Sequence, residues 1–274
     1  MTTTRRALLP VVIVAAIIGA VALWWTMFRP VPQAPAAFAP AAATSSPRPA
    51  AAPATSSIEY PLEAAAQAPP LEAADIGTAL TDLLGRKAVL AFLELDDFPR
   101  RFVATVDNLG RSHAPPMLWP INPTPERFMV EERPGGPVIS PDNSLRYAPL
   151  VLLAELVEAG KAVDLYIRMY PLLQRAYQEL GYPKGYFNDR LIEVIGQLLA
   201  TPATGEPIKV QLTEVKGPVP SVRPWVRYEF ADPALESLSA GQKILLRVGP
   251  VNERRLKARL AAFRQELIKR VKPR

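Results

Sequence analysis

Residues 161–180, KAVDLYIRMYPLLQRAYQEL, decide the fold. Val163, Tyr166, Ile167, Tyr170, Leu173, Tyr177 and Leu180 recur at a spacing of three to four, which places them on one face of a helix. Asp164/Arg168 and Arg175/Glu179 stand four apart, where opposite charges meet on a helical surface. Pro171 lacks an N–H, so it is expected to kink this helix or split it. The following Gly181-Tyr182-Pro183-Lys184-Gly185 reads as a turn, and a second helix should run from about 188 to 200, capped by Asn188 or Asp189.

Helical signals continue in both directions. Asp75 opens a short helix through Leu84, 87–95 form another, and 98–108 a third with Asp97 as N-cap. Pro115, Pro116, Pro120, Pro123 and Pro125 make the next stretch irregular. Weak alternation over 127–132, a turn at 132–137 and Val138-Ile139 predict a hairpin. Ser140 as N-cap with Pro141 at the first helical position predicts a helix to about Glu158. Residues 208–215 and 225–230 alternate as two strands of a second hairpin. Ser239-Ala240-Gly241-Gln242 fits a capping box before a helix over 243–248, and Gly249-Pro250 ends that helix and begins the last. On that last helix Leu256, Leu260, Phe263, Leu267 and Val271 form a narrow apolar stripe. The expected fold is mainly α (α+β), a compact helical domain over 71–274 with one or two short antiparallel β-hairpins. Its 204 residues suffice to bury about 70% of the unfolded chain's surface.

The N-terminal part differs in kind. Residues 7–28, ALLPVVIVAAIIGAVALWWTMF, carry no charge and as a helix would span roughly 33 Å, enough to cross a bilayer. Trp24 and Trp25 suit an interface, and Arg5 and Arg6 before the run against Arg29 after it favour a cytoplasmic N-terminus. A cleaved signal peptide is the competing reading. Its apolar core is normally about 7–15 residues, and the first small-x-small site here, Ala34-Pro35-Ala36, lies well past the run. Arg5-Arg6 also bears a faint likeness to a twin-arginine signal. Residues 29–70 hold 10 Pro and 15 Ala in 42 positions, a composition that forms no core and samples extended polyproline II. The expected organisation is therefore a cytoplasmic N-terminus at 1–6, a transmembrane helix at 7–28, a Pro/Ala-rich disordered linker at 29–70 and a soluble periplasmic domain at 71–274, in a single-pass inner-membrane protein.

Composition restricts the chemistry. The chain has no Cys and one His, which removes disulfides, thiol nucleophiles, Cys-based zinc sites and iron–sulfur ligation, together with multi-His metal sites. No catalytic, cofactor-binding or metal-ligating residue is assigned. Asp96-Asp97 and Glu131-Glu132 are adjacent carboxylates, and neighbours in sequence point apart on a strand or a helix, so acid–base work would need a third group. Ser239 and Lys243 sit inside the capping box, His113 lies in a Pro-rich loop with no evident partner pair, and Pro134-Gly135-Gly136-Pro137 is turn chemistry.

Two surfaces stand out. Five of the eight Tyr lie between 166 and 186, and the turn at 182–190 places Tyr182, Tyr186 and Phe187 beside Lys184, Asp189 and Arg190, a mixture enriched in protein interfaces. The plain alternative is that Tyr166, Tyr170 and Tyr177 are core and that Arg190 pairs with an acid. The second surface is the C-terminal helix. Residues 243–274 carry 11 Lys plus Arg against 2 acids, whereas 71–242 carry 17 against 22. Arg254, Arg255, Lys257, Arg259, Lys269 and Arg270 could face anionic lipid or an acidic partner, or could dock onto the acidic remainder of the same domain.

The run YPLLQRAYQELGYP at 170–183, followed by YFNDRLIEVI at 186–195, resembles the bacterial family called domain of unknown function 3014. RFVATVDNL at 101–109, LWP at 118–120, LLATP at 198–202 and FADPALESLSAGQKILLRVGP at 230–250 resemble it too, so the likeness covers about 75–250. It implies a proteobacterial envelope protein with an N-terminal anchor and no established activity. The favoured expectation is a membrane-anchored periplasmic interaction or scaffold module. Its partners would be the inner membrane, through 7–28, and an envelope protein or cell-wall component, with no nucleic acid and with the oligomeric state open. Two alternatives stand beside it: an envelope hydrolase acting on cell-wall glycan or peptide through carboxylates, and anionic-lipid binding through the basic helix.

Overall fold

The computed structural model describes residues 58–62, 69–205, 207–213 and 223–271. The apolar run at 7–28 lies outside them. Among the described residues no helix is long and apolar enough to cross a membrane.

The helices are α1 Ile76–Leu84, α2 Arg86–Phe92, α3 Phe98–Leu109, α4 Asn143–Leu156, α5 Ala159–Glu179, α6 Phe187–Leu199, α7 Pro233–Glu236, α8 Ala240–Arg247 and α9 Pro250–Ile268. Helix α5 carries the deciding stretch, and the spacing read from it is the buried face: Val163, Tyr166, Leu173 and Tyr177 are buried, with Leu165, Met169 and Ala176 beside them. Helix α3 packs on α5 and α6, and α9 packs on α4, α5 and α6. Their meeting point is the core, where Val103, Val163, Leu173, Phe187 and Leu267 are wholly buried. The stripe of α9 supplies Leu256, Leu260 and Phe263 to its rim.

Pro171 does not split α5, which runs unbroken from Ala159 to Glu179. The proline lies on the exposed side of the helix, where water can serve the carbonyl its ring leaves unbonded. Helix α8 crosses α3 and α6 closely at Gly241: a Cβ there would meet Leu198 at 2.5 Å and the Leu109 carbonyl at 3.0 Å. The capping box before α8 is present, with Ser239 accepting from the Gln242 amide and Gln242 returning a bond to the Ser239 amide.

Both hairpins form. Strand β1, Val130–Arg133, pairs antiparallel with β2, Gly136–Ile139, from Val130↔Ile139 to Arg133↔Gly136. The connecting Pro134-Gly135, with Gly135 at φ 95°, follows the Pro-then-Gly order of a type II turn. Strand β3, Val210–Leu212, pairs with β4, Tyr228–Phe230, and a Val138↔Lys209 bridge joins the two hairpins. Their second pair is shorter than the alternation suggests because Trp225 is taken into a 3-10 turn, Pro224–Val226.

Several expected helix starts are corrected. Helix α4 begins at Asn143, not directly after a Ser140 cap: the Ser140 hydroxyl accepts from the Asp142 amide at 3.4 Å, short of the helix, and donates to Glu131 at 3.0 Å, while buried Asn143 bonds both the amide and the carbonyl of Met129. Helix α2 stops at Phe92 because Leu93 turns extended and bridges Ile121. Asp97 does occupy the N-cap position of α3, but with φ 48° and no side-chain cap bond.

Candidate functional site

The turn between α5 and α6 is fixed from below. Gln174 on α5 donates to the Gly185 carbonyl at 2.8 Å and accepts from the Phe187 amide and the Tyr170 hydroxyl, both at 2.9 Å. Tyr177 and Tyr182 stack with ring centroids 4.5 Å apart. Gly185 is required beside them, since a Cβ at that position would meet the Tyr177 ring at 2.7 Å. Burial, reinforced by the Asp107 charge, pushes the Tyr177 phenol up to about 12.

Asp107 is the hub. Its side chain is 6% exposed, and its carboxylate accepts from Arg190 Nε at 3.0 Å, Arg111 Nε at 3.0 Å and the Tyr182 hydroxyl at 3.2 Å. Arg111 also donates to the Tyr182 hydroxyl, and Arg190 extends to the Asp107 carbonyl and to Glu193, each at 2.9 Å. Burial pulls the Arg190 guanidinium down, but Glu193 and Asp107 more than offset it and hold Arg190 above its ordinary value. The result is a rigid corner joining α3, the turn and α6.

That corner faces residues 58–62 of the same chain. The two oxygens of the Asp189 carboxylate accept consecutive main-chain amides, Glu59 at 2.9 Å and Tyr60 at 2.8 Å. Asn188 donates to the Tyr60 carbonyl at 2.8 Å, and the Tyr186 hydroxyl accepts from the Leu62 amide at 2.9 Å. Leu62 also bridges Val271 in antiparallel fashion, and the side chains of Tyr60 and Leu62 pack on the core. Pro61 has no N–H to satisfy. These bonds hold a short stretch of main chain that bends at Glu59 and Tyr60.

A family model described as "Protein of unknown function (DUF3014)" matches residues 98–264. The chain belongs to the DUF3014 family. The match begins at the first residue of α3 and takes in the whole Asp107 hub and the turn. No curated protein matches the DUF3014 chain, and no solved structure does.

In this DUF3014 domain the residues singled out at the turn separate into distinct positions. Tyr182 and Arg190 belong to the hub, Tyr186 and Asp189 hold 58–62, and Lys184 is exposed. Phe187 is wholly buried and belongs to the core, because it is the first residue of α6 and its ring faces Phe102 and Tyr177. Neither Asn188 nor Asp189 caps α6: the N-cap is Tyr186, without a side-chain cap bond, the Asp189 carboxylate is spent on 58–62, and Asn188 donates to Tyr60 while its oxygen accepts from the Tyr166 hydroxyl at 3.1 Å.

The basic helix of the DUF3014 chain is largely engaged within its own domain. Arg255 pairs with Glu155, Lys257 bonds the Thr201 carbonyl at 2.8 Å, and Arg259 bonds the Val157 carbonyl. Lys269 pairs with Glu266 at 2.7 Å and Arg270 with Asp164 at 3.0 Å, while Arg254 is exposed. The adjacent carboxylates stand on separate elements. Asp96 and Asp97 are exposed before α3, Glu132 is exposed on β1, and Glu131 is occupied by Arg133 and Ser140. A groove of about 240 Å³ beside α1 and α5 is lined by Asp82, Lys161, Asp164 and Arg168, and none of those four carboxylates borders it. Lys243 pairs with Glu236 at 2.8 Å, away from the Ser239 capping bond, and His113 is exposed.

Composition and periodicity missed Asp107, Arg111 and Gln174. The available signal was the spacing of Asp107 and Arg111, four apart, with Asp107 in the last turn of α3 and Arg111 just past its end.

Proposed function

We propose that this chain is a membrane-anchored periplasmic interaction module, a scaffold element of the bacterial cell envelope whose contact surface is the turn at 182–190. The uncharged run at 7–28, the arginines before it and the Pro/Ala-rich stretch after it support an anchored domain on a spacer. One observation carries the interaction reading: Tyr186, Asn188 and Asp189 hold a peptide main chain with four hydrogen bonds on a corner that the Asp107 hub keeps rigid. Capture of a peptide through its main-chain amides and carbonyls is a recurring source of affinity in protein interaction.

The test has two arms. Reporter fusions after residue 70 should be active for a periplasm-dependent reporter and silent for a cytoplasm-dependent one; the reverse pattern overturns the topology. In-cell photo-crosslinking from exposed position 184, compared with exposed position 142, should give a discrete protein adduct at 184 only. Equal adducts at both positions, or none at either, would count against the turn as the contact surface.

A further inference from the structure

Residues 58–62 are attached to the domain differently from every helix in it. None of the five is fully buried, and Ile58 and Glu59 are exposed. They are held by four main-chain hydrogen bonds, by the half-buried side chains of Tyr60 and Leu62, and by one bridge to Val271. The core beneath, with Phe187, Leu173 and Val163 wholly buried, takes no part in those bonds. Lifting this strap would break those bonds and the packing of Tyr60 and Leu62 on the core rim while the helix–helix contacts remain, the kind of local opening that costs less than global unfolding.

We propose that the strap is exchangeable: residues 58–62 of one copy of this chain seat in the Tyr186–Asn188–Asp189 site of a second copy, and the return exchange links the two reciprocally. The inference rests on reading the turn as the contact surface, and it names the partner. The occupant is argued from chemistry. The site satisfies two consecutive amides, the carbonyl of the second residue and an amide two residues further on, with a proline between that needs no partner, and Glu59-Tyr60-Pro61-Leu62 supplies that pattern. A second copy offers the identical segment, so trans seating restores every bond that leaving in cis breaks, which is why exchange of an identical element is a low-cost route to dimers. Seven Cα steps separate Leu62 from Pro69, where the Arg168 guanidinium and carbonyl hold the chain at Pro69 and Leu71. Those steps reach at most about 25 Å, enough to pass to an adjacent domain.

The absence of cysteine makes the test direct. Leu62 and Val271 are antiparallel bridge partners, so cysteines placed there lie within disulfide reach. Two differently tagged full-length chains, one carrying Leu62→Cys and the other Val271→Cys, are mixed in mild detergent and oxidised. The expected product is a mixed dimer joined by a 62–271 disulfide. Adding Asp189→Ala to the Val271→Cys chain should lower its yield about tenfold or more, since a carboxylate holding two amides is lost. A Leu62→Cys/Val271→Cys double variant reports the cis geometry. If the double variant closes within one chain while the mixture stays monomeric, exchange is overturned and the peptide-holding turn stands. If the double variant forms no 62–271 disulfide, within a chain or between chains, the strap does not seat as described and both readings fall. Mixed dimers formed equally with and without Asp189→Ala would place the contact elsewhere and overturn the exchange.

Discussion

The turn at 182–190 and the helix α9 are the two candidate surfaces of the sequence, and the structure spends them in opposite ways. At the turn two guanidiniums and a phenol converge on one buried carboxylate, and the corner so fixed carries side chains that grip a peptide. Along α9 most of the cations disperse, Arg255 to Glu155, Lys257 to the Thr201 carbonyl, Arg259 to the Val157 carbonyl and Arg270 to Asp164, while Lys269 pairs with Glu266 on the helix itself and Arg254 is exposed. A count of charges is thus a poor guide to charge available to a ligand. Convergence on one buried group builds a rigid platform; dispersal docks a helix by many small contacts.

The largest expected effect that tests this contrast is Asp107→Ala. It strips partners from Arg190, whose side chain is 16% exposed, and should destabilise the domain by about 3–5 kcal/mol in denaturant titration. Asp107→Asn, which keeps hydrogen-bonding capacity, should cost visibly less. A loss below about 1 kcal/mol for Asp107→Ala would show that the hub is no more than another dispersed pair. Next in size, Asp189→Ala removes two charge-assisted bonds and should speed amide exchange at Glu59 and Tyr60 by tenfold or more while core amides in α5 keep their protection. Uniform acceleration across the domain would mean that the strap and the core open together. On the other side, Arg255→Ala should move the denaturation midpoint far less than Asp107→Ala, because Arg255 and Glu155 are each about one-third exposed and water screens the pair.

The two regions should also fail at opposite ends of the pH scale. Glu155 is held below its ordinary value of 4.5 by its hydrogen bond from Arg255, so its contribution is present above about pH 4.5 and is lost as the pH falls through the lower folded value. Tyr177 moves the other way. Its folded value of about 12 lies above the ordinary 10, so in the unfolded chain the proton leaves first and stability is lost as the pH rises from 10 towards 12. Thermal melts of Arg255→Ala should show a flatter acid limb, and melts of Tyr177→Phe a flatter alkaline limb. Limbs unchanged by both substitutions would detach these groups from the pH response.

What the sequence disclosed was local. The faces of α5 and α9, the capping box at Ser239 and the β1–β2 hairpin each follow from neighbours within a few positions, and all are present. Ser140 misled because its hydroxyl, while donating nine positions back to Glu131, accepts from the Asp142 amide, one residue short of the helix. The hub was hidden for the same reason on a larger scale: Asp107 and Arg190 are 83 positions apart, and the strap meets Asp189 from 130 and 129 positions away. Asp189 at the start of a helix is a good cap by its type, and only the arrival of 58–62 redirects its carboxylate.

The Leu62↔Val271 bridge brings the first and last described stretches of the chain side by side. Chain ends that meet at one point of a fold can be joined and the chain reopened elsewhere with little loss. A circular permutant linking the C-terminus back to the strap and opened at the exposed Pro134-Gly135 tip should therefore keep its helical core. The same adjacency means that cargo fused directly after Val271 would emerge beside the strap and crowd its exchange.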